Sequence, residues 1–482
     1  MTMSAFIIIF QISVFLSKIR GEEYNLFGDA GQAYSMEAYL GHPHQKLKLL
    51  VDTGSTTVAI AAYAREDSDE YFHMDNSSSI NDSGVEAQYS QGMWSGRLVS
   101  DLIQFPSLKI IPEVRTDIAL ITQSHKFFMN GSGWQGLLGL AYLPVGAWSD
   151  GVVVESWLDA VDHTLNKQMS FQLKLCGAWS PSNTTHYGHF KMLDDLLSND
   201  NSKKTYRTPI LRKRWYEVGV ISIRVMASMN DTSVSDNIAR DPDAEKCQKL
   251  NAVKSIVDSG TTNIRLPDAL YRQVVDELKY AYRSSQVLIL DQFWYQGEAA
   301  CWPEPQMWTV PWLAIDLLSA DADNQYFTLE IPPQNYMRAV GVYNNSDQDG
   351  AVSEYCYKLG LEAGGSDTVL GYTAMEGLQV IFNKSAGWIG FQPSDCGPHA
   401  RITGPYNSST SLKQTCALLQ PISQVAVSIK AAQWALCAVL IIASGVLIYL
   451  LAPCIQTLLF KRLPGSQQIS LSHAALVEQE ST

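Results

Sequence analysis

Short apolar and β-branched runs, broken every few positions by Gly, Pro, Asn or Asp, fill most of the chain before its last apolar segment. Ile118-Ala119-Leu120-Ile121 and Val218-Gly219-Val220-Ile221-Ser222-Ile223-Arg224-Val225 have the length and composition of half-buried or buried strands. Helical spacing is rare; residues 155–161 and 267–275 show it best, the second opening on a proline, which suits a first helical turn. The pattern predicts an all-β, bilobal architecture with lobes at 31–195 and 205–416 that meet near residues 190–210 around a cleft. Met226 to Lys254 reads as a long, charged loop.

Two longer apolar segments stand apart. Ala5-Phe6-Ile7-Ile8-Ile9-Phe10 is too short to span a membrane comfortably and predicts a secretory signal over 1–20. Only about a dozen residues then precede Gln32-Ala33-Tyr34-Ser35, too few for a long pro-segment. Between Lys430 and Lys461 lie 30 uncharged residues, where about 20 suffice to cross a bilayer. This predicts a linker at 417–430, a single transmembrane helix at 431–452 and a cytoplasmic tail at 453–482, with Lys461 and Arg462 as the inner flank.

The formal charge of −13 argues against nucleic acid as a partner. The one basic cluster, Lys203-Lys204 through Arg212-Lys213-Arg214, reads as a solvated hairpin edge. Eight N-x-S/T acceptors occur, at Asn76, Asn81, Asn130, Asn183, Asn230, Asn344, Asn383 and Asn407, all before the long apolar segment, so that part of the chain is expected to be lumenal. Six of the eight cysteines, Cys176, Cys247, Cys301, Cys356, Cys396 and Cys416, lie there too, which predicts three disulfides in an oxidising compartment with the pairing open. Cys437 falls within the span, and Cys454, at its inner edge, is a candidate for palmitoylation. Asn345-Ser346-Asp347-Gln348-Asp349-Gly350 opens like a calcium loop, but its twelfth position is Cys356, so it reads as a surface turn. The nine histidines are scattered, and no metal ligation is expected of them.

The candidate chemistry lies in a doubled motif. Val51-Asp52-Thr53-Gly54-Ser55 and Val257-Asp258-Ser259-Gly260-Thr261 each follow a strand-like run, and each has an apolar-apolar-Gly partner downstream, Leu137-Leu138-Gly139 and Val369-Leu370-Gly371. Two such turns facing each other would set two carboxylates on one water. Like charges so close cannot both ionise, so the pair holds one proton. One carboxylate then acts as base on the water while the other polarises a carbonyl, which hydrolyses a peptide bond without metal, cofactor or covalent intermediate.

With these turns the chain resembles the pepsin-like aspartic proteases, and among them the membrane-anchored memapsin or β-secretase group, from about Gly31 to Cys416. Tyr89-Ser90-Gln91-Gly92-Met93-Trp94-Ser95-Gly96 resembles the flap hairpin, and Val257 through Pro267 the second turn; Arg214-Trp215-Tyr216-Glu217-Val218, Pro333-Gln334-Asn335-Tyr336, Cys356-Tyr357-Lys358 and Met375-Glu376-Gly377 add to the match. Lys191-Met192-Leu193-Asp194 departs from a turn common in the family. The resemblance implies Asp52 and Asp258 as the catalytic pair, with Ser55 and Thr261 bonded to the carboxylates and Gly54 and Gly260 allowing close approach. It implies Tyr89 over the scissile bond with Trp94 as its hydrogen-bond partner, Gln91, Thr262 and Asn263 along the substrate, and Arg265 beside a pocket for the residue two before the cut, favouring polar or acidic groups. It also implies the disulfides Cys176–Cys396, Cys247–Cys416 and Cys301–Cys356. The expected protein is a single-pass type I membrane protein of the secretory or endosomal pathway or cell surface that cleaves membrane-anchored or secreted polypeptides, most active at acidic pH. A lysosomal digestive protease of cathepsin D type and a non-enzymatic binding glycoprotein on the same fold are the competing readings.

Overall fold

The computed structural model describes residues 24–28, 33–65, 68–74, 78–89, 92–128, 131, 133–142, 154–180, 183–194, 204–226, 241–282, 289–302, 310–344, 353–418 and 429–460. The expected signal segment, Gln91, the acceptors Asn76, Asn130 and Asn230, the 345–350 turn, most of the 417–430 linker and residues 461–482 lie outside them.

Strands dominate, as the apolar spacing predicts. The strand Gln45–Asp52 runs parallel to Gly136–Gly139, with Val51 opposite Leu138 and Asp52 opposite Gly139. Val58–Ala61 packs antiparallel on the other side of Gly136–Gly139 and parallel to Val114–His125. The second half repeats this plan. Ser255–Val257 runs parallel to Thr368–Leu370, and Ile264–Leu266 lies antiparallel to Thr368–Leu370 and parallel to Leu361–Ala363. All four residues of Gly136–Gly139 and all three of Thr368–Leu370 are buried, which explains runs without polar alternation.

A sheet shared by both halves joins them. Leu378–Asn383 from the second half pairs antiparallel with Ser170–Ser180 from the first, Val380 opposite Leu173. Beneath this seam Phe171 stacks on Phe382 at 4.8 Å, and Tyr216 packs edge-on against the same ring. Leu26–Gly28 also enters the sheet, against Tyr187 and its neighbours, so the first lobe starts before the expected residue 31. The three disulfides pair as the resemblance implied, with Cys176–Cys396 bridging the halves.

The helices expected at 155–161 and 267–275 form as Trp157–Leu165, capped by Ser156 accepting from the Asp159 amide, and as Asp268–Tyr282. The reading of 226–254 as loop is corrected by a helix at Ala244–Leu250, capped by Asp243, which buries Cys247 and Leu250. Its amphipathic signal is masked by four charged or amide residues in seven positions. Two members of the basic cluster are engaged internally: Arg212 pairs with the buried Glu217, and Lys204 bonds the Gly404 carbonyl, while Lys213 and Arg214 are exposed. Among the glycan acceptors, Asn183 and Asn407 are exposed, whereas Asn383 is buried, its amide oxygen accepting from Ser385 and the Ala386 N–H.

The chain forms two compact units, Met1–Leu419 and Gln420–Thr482. Among the described residues, the second contains one helix, Ile429–Phe460, longer than the expected 431–452. Its segment Trp434–Ala452 is long and apolar enough to cross a membrane, and its side chains there are exposed rather than packed in a protein core.

Candidate active site

The two Asp turns meet at the centre of the first unit through paired hydroxyls. Thr53 Oγ1 donates to the Val257 carbonyl at 2.9 Å and accepts from the Ser259 N–H at 2.9 Å. Reciprocally, Ser259 Oγ donates to the Val51 carbonyl at 2.7 Å and accepts from the Thr53 N–H at 3.2 Å. These four buried bonds lock one turn to the other. Sequence reasoning recorded the small hydroxyl after each Asp but assigned it no role; its presence in both copies was the available signal.

Each carboxylate is gripped identically within its own turn. Asp52 Oδ1 accepts from the Gly54 N–H at 2.7 Å and Oδ2 from Ser55 Oγ at 2.5 Å. Asp258 Oδ1 accepts from the Gly260 N–H at 2.9 Å and Oδ2 from Thr261 Oγ1 at 2.7 Å. The glycines are required by proximity: a Cβ on Gly54 would lie 2.6 Å from the Asp258 carboxylate, and one on Gly260 would overlap that of Asp52. Both carboxylates are nearly buried, at 5% and 8% exposure. Burial first, then the adjacent Asp258 carboxyl, which is close enough to share a hydrogen bond, hold the Asp52 pKa well above the usual carboxylate range.

The apolar-apolar-Gly strands pass behind the turns. The Leu140 N–H donates to the Asp52 carbonyl at 2.7 Å, and the Asp258 N–H to the Leu370 carbonyl at 3.0 Å. Tyr216 reaches across the halves to donate its hydroxyl to the Leu140 carbonyl at 2.8 Å.

Tyr89 stands at the end of the hairpin strand Ser79–Gln88, half-buried against Phe127. Burial, followed by the charge of Asp52, raises its phenol pKa, and Ser55 lies near enough to oppose that rise, so Tyr89 covers the Asp52 side of the pair. The buried Trp94 holds its indole N–H close enough to the Tyr89 hydroxyl to favour the phenolate, the neighbour expected for it. The Trp94 ring is otherwise core, at 2% exposure.

Beyond the second turn, the Thr262 carbonyl accepts from the Thr373 N–H and hydroxyl, and its side chain lies by Tyr372. Asn263 Nδ2 donates to Glu362 Oε2 at 2.8 Å, and Arg265 Nε lies 2.8 Å from Glu362 Oε1. Glu362 thus balances the charge of Arg265. Sequence reasoning missed Glu362, whose strand pairs with that of Arg265 only in three dimensions.

A second cross-half contact lies deeper. The buried Tyr34 donates its hydroxyl to Glu376 Oε1 at 2.7 Å and accepts from the Gly177 N–H at 3.0 Å, with Tyr34 and Tyr372 edge to face at 5.4 Å. Burial pushes the Glu376 carboxyl up to about 7.

Residues 33–394 match the family model of eukaryotic aspartyl proteases. The chain is 31% identical over 407 residues, 80% of its length and 71% of the relative's, to a β-secretase of Strongylocentrotus purpuratus. It is also 26% identical over 247 residues to vacuolar protease A of Aspergillus fumigatus and 25% over 268 residues to a vacuolar aspartic protease of Candida albicans, spanning 54% and 57% of those proteins. With the doubled turn, the shared sheet and this match over most of its length, the chain belongs to the eukaryotic aspartyl protease family and is an aspartic endopeptidase.

Proposed function

We propose that Asp52 and Asp258 form the catalytic pair and that the enzyme works as a membrane-anchored, β-secretase-like sheddase, active at acidic pH on proteins held at the same membrane. The observation that carries this reading is the reciprocal hydrogen bonding of Thr53 and Ser259, which faces two identically gripped carboxylates toward each other. A water between them loses its proton to the ionised carboxylate as it attacks the scissile carbonyl, and the protonated partner donates to the developing oxyanion. The tetrahedral carbon then collapses with proton transfer to the leaving amine, restoring the pair with one shared proton. Tyr89, above the Asp52 side, closes over the substrate and excludes water.

The anchored topology draws on Trp434–Ala452, on the sequons that all precede it, and on Lys461 and Arg462 after it. Confinement to one surface raises the effective concentration of anchored substrates far more than that of soluble peptides. The test uses the purified full-length chain in detergent on a peptide panel between pH 4 and 7. Hydrolysis at acidic pH, blocked by a peptide carrying a secondary alcohol in place of the scissile amide, is the expected result. Tight binding of that inhibitor without any cleavage of the panel would favour the binding-glycoprotein reading instead.

A further inference from the structure

His42 and His44 flank Pro43 in the turn between the strands Ser35–Leu40 and Gln45–Asp52, and Glu113 directly precedes the strand Val114–His125. The fold brings these separate segments together. His42 Nε2 lies 3.4 Å from Glu113 Oε2, and His44 Nε2 lies 3.0 Å from Oε1 of the same carboxylate. The two imidazoles are stacked at 4.8 Å with 17° between their planes, and one donor atom from each of the three residues falls within 4.8 Å of the others.

We propose that His42, His44 and Glu113 form a surface site for a divalent transition-metal ion of the imidazole-preferring class, represented by Zn²⁺. A tetrahedral zinc with ligand bonds of about 2.0–2.1 Å sets its donor atoms about 3.3 Å apart; each imidazole lies at about that distance from its own oxygen of Glu113, and small side-chain rotations would bring one oxygen and both ring nitrogens onto a single ion. A simple His–Glu hydrogen bond accounts for one imidazole on one oxygen. A second such bond would account for the other oxygen, but neither requires the two rings to stack and bring three donor atoms within 4.8 Å of one another. The same unit offers an internal contrast in His163, whose Nδ1 lies 2.7 Å from Glu155 Oε1, an ordinary pair. Two imidazoles and one carboxylate are a ligand set that zinc uses with a water in the fourth position. The scattered histidines gave the sequence no sign of ligation here, since Glu113 is far from His42 and His44 along the chain.

The site is remote from the chemistry. The eight residues of Gln45–Asp52 separate it from Asp52, a span of about 26 Å for an extended strand. A bound ion would tie the turn to the segment before Val114, so its effect is on binding and stability rather than on the reaction.

The experiment titrates ZnCl₂ into the metal-free, full-length chain in detergent at pH 7.5 against a colorimetric zinc indicator, with thermal melting in parallel. The expected result is one ion per chain at micromolar affinity and a rise in Tm at saturation. His44→Ala and Glu113→Gln should each weaken binding at least tenfold and remove the rise, while His163→Ala leaves both unchanged. Equal zinc binding by wild type and the His42→Ala/His44→Ala variant, or no binding by wild type at 100 µM zinc, a concentration about a hundredfold above a ~1 µM site, would overturn the proposal. A melting curve of each variant without zinc identifies any that fails to fold.

Discussion

The two Asp turns share a scaffold down to equivalent positions, and they diverge one strand later. Val58 opposes Leu138, and Ile264 opposes Leu370, so Ala59 and Arg265 occupy matching places. On the far side Ala59 faces Ala119, and Arg265 faces Glu362. Ala59 and Ala119 are fully buried, whereas the Arg265 and Glu362 side chains remain partly exposed at 18% and 26%. The repeated part, from each Asp to the Gly behind it, builds the carboxylate pair. The divergent part is sealed in the core in the first half and lined with opposed charges in the second. Duplication therefore fixes where the two carboxylates meet, and the departures from duplication give each side of the pair different surroundings.

The strongest way to break the comparison is to make the turns unequal. If the pair acts as a unit, Asp52→Asn and Asp258→Asn should each lower kcat on a peptide substrate on the order of 10³-fold or more. Circular dichroism should remain unchanged, since Asn keeps the acceptor oxygen that each Gly N–H requires. A folded single variant with more than about a tenth of wild-type kcat would show that the carboxylates do not share the work.

The next effect tests the reciprocal hydroxyls. Thr53→Val leaves the Ser259 N–H and the Val257 carbonyl without their partner, and Ser259→Ala does the same to the Thr53 N–H and the Val51 carbonyl. Each buried orphan costs about 1–3 kcal/mol, so each variant should lose about 4 kcal/mol of stability, read by urea unfolding. Near-equal losses would sharpen the symmetry. A loss confined to one variant would show that one turn holds the other.

Much of this was legible in the chain because it rests on local repetition. The doubled Asp-Thr/Ser-Gly, the apolar-apolar-Gly runs and the uninterrupted apolar segment are patterns a one-dimensional reading detects, and the structure places Ser55, Thr261, Gly54 and Gly260 as expected. What escaped depends on distance along the chain. Glu362 meets Arg265 across nearly a hundred residues, Tyr34 meets Glu376 across 342, and Glu113 meets His44 across 69. The helix Ala244–Leu250 escaped for another reason: one buried face of Cys247 and Leu250 is too narrow a stripe to stand out among charged neighbours.

Glu376 offers a smaller effect that has no counterpart in the repeated scaffold. Its carboxyl is raised from 4.5 to about 7, first by burial, with Tyr34 and Arg338 opposing the rise. The folded state thus favours the protonated form. Its contribution is complete below about pH 4.5 and is lost as pH rises toward 7, on the order of 2–3 kcal/mol. The raised Asp52 acts in the same direction. Glu376→Gln keeps an acceptor for the Tyr34 hydroxyl and removes the titration, so the fall in Tm between pH 4.5 and 7 should become shallower than in wild type. An unchanged slope would assign the pH dependence to the other raised carboxyls, those of Asp52, Asp117 and Asp162.

The smallest expected effect concerns the Arg265–Glu362 pair that replaces two alanines. Both Glu362 oxygens are committed, one to Arg265 Nε and one to Asn263 Nδ2, each at 2.8 Å. While Glu362 stays ionised, an acidic substrate side chain that approaches Arg265 meets a cation already balanced. Glu362→Gln keeps an acceptor for Asn263 and removes the balancing charge, leaving Arg265 to attract an anion from the substrate. Because the pair is partly solvated, the gain is about 1 kcal/mol, several-fold rather than orders of magnitude. The measurement is the ratio of kcat/KM for peptides with Asp against Asn two residues before the cut. That ratio should rise about three- to tenfold in Glu362→Gln at constant pH and low salt, and the rise should shrink as salt is added. The same ratio in wild type and variant would place Arg265 away from that side chain and make the charge pair a purely structural replacement for Ala59 and Ala119.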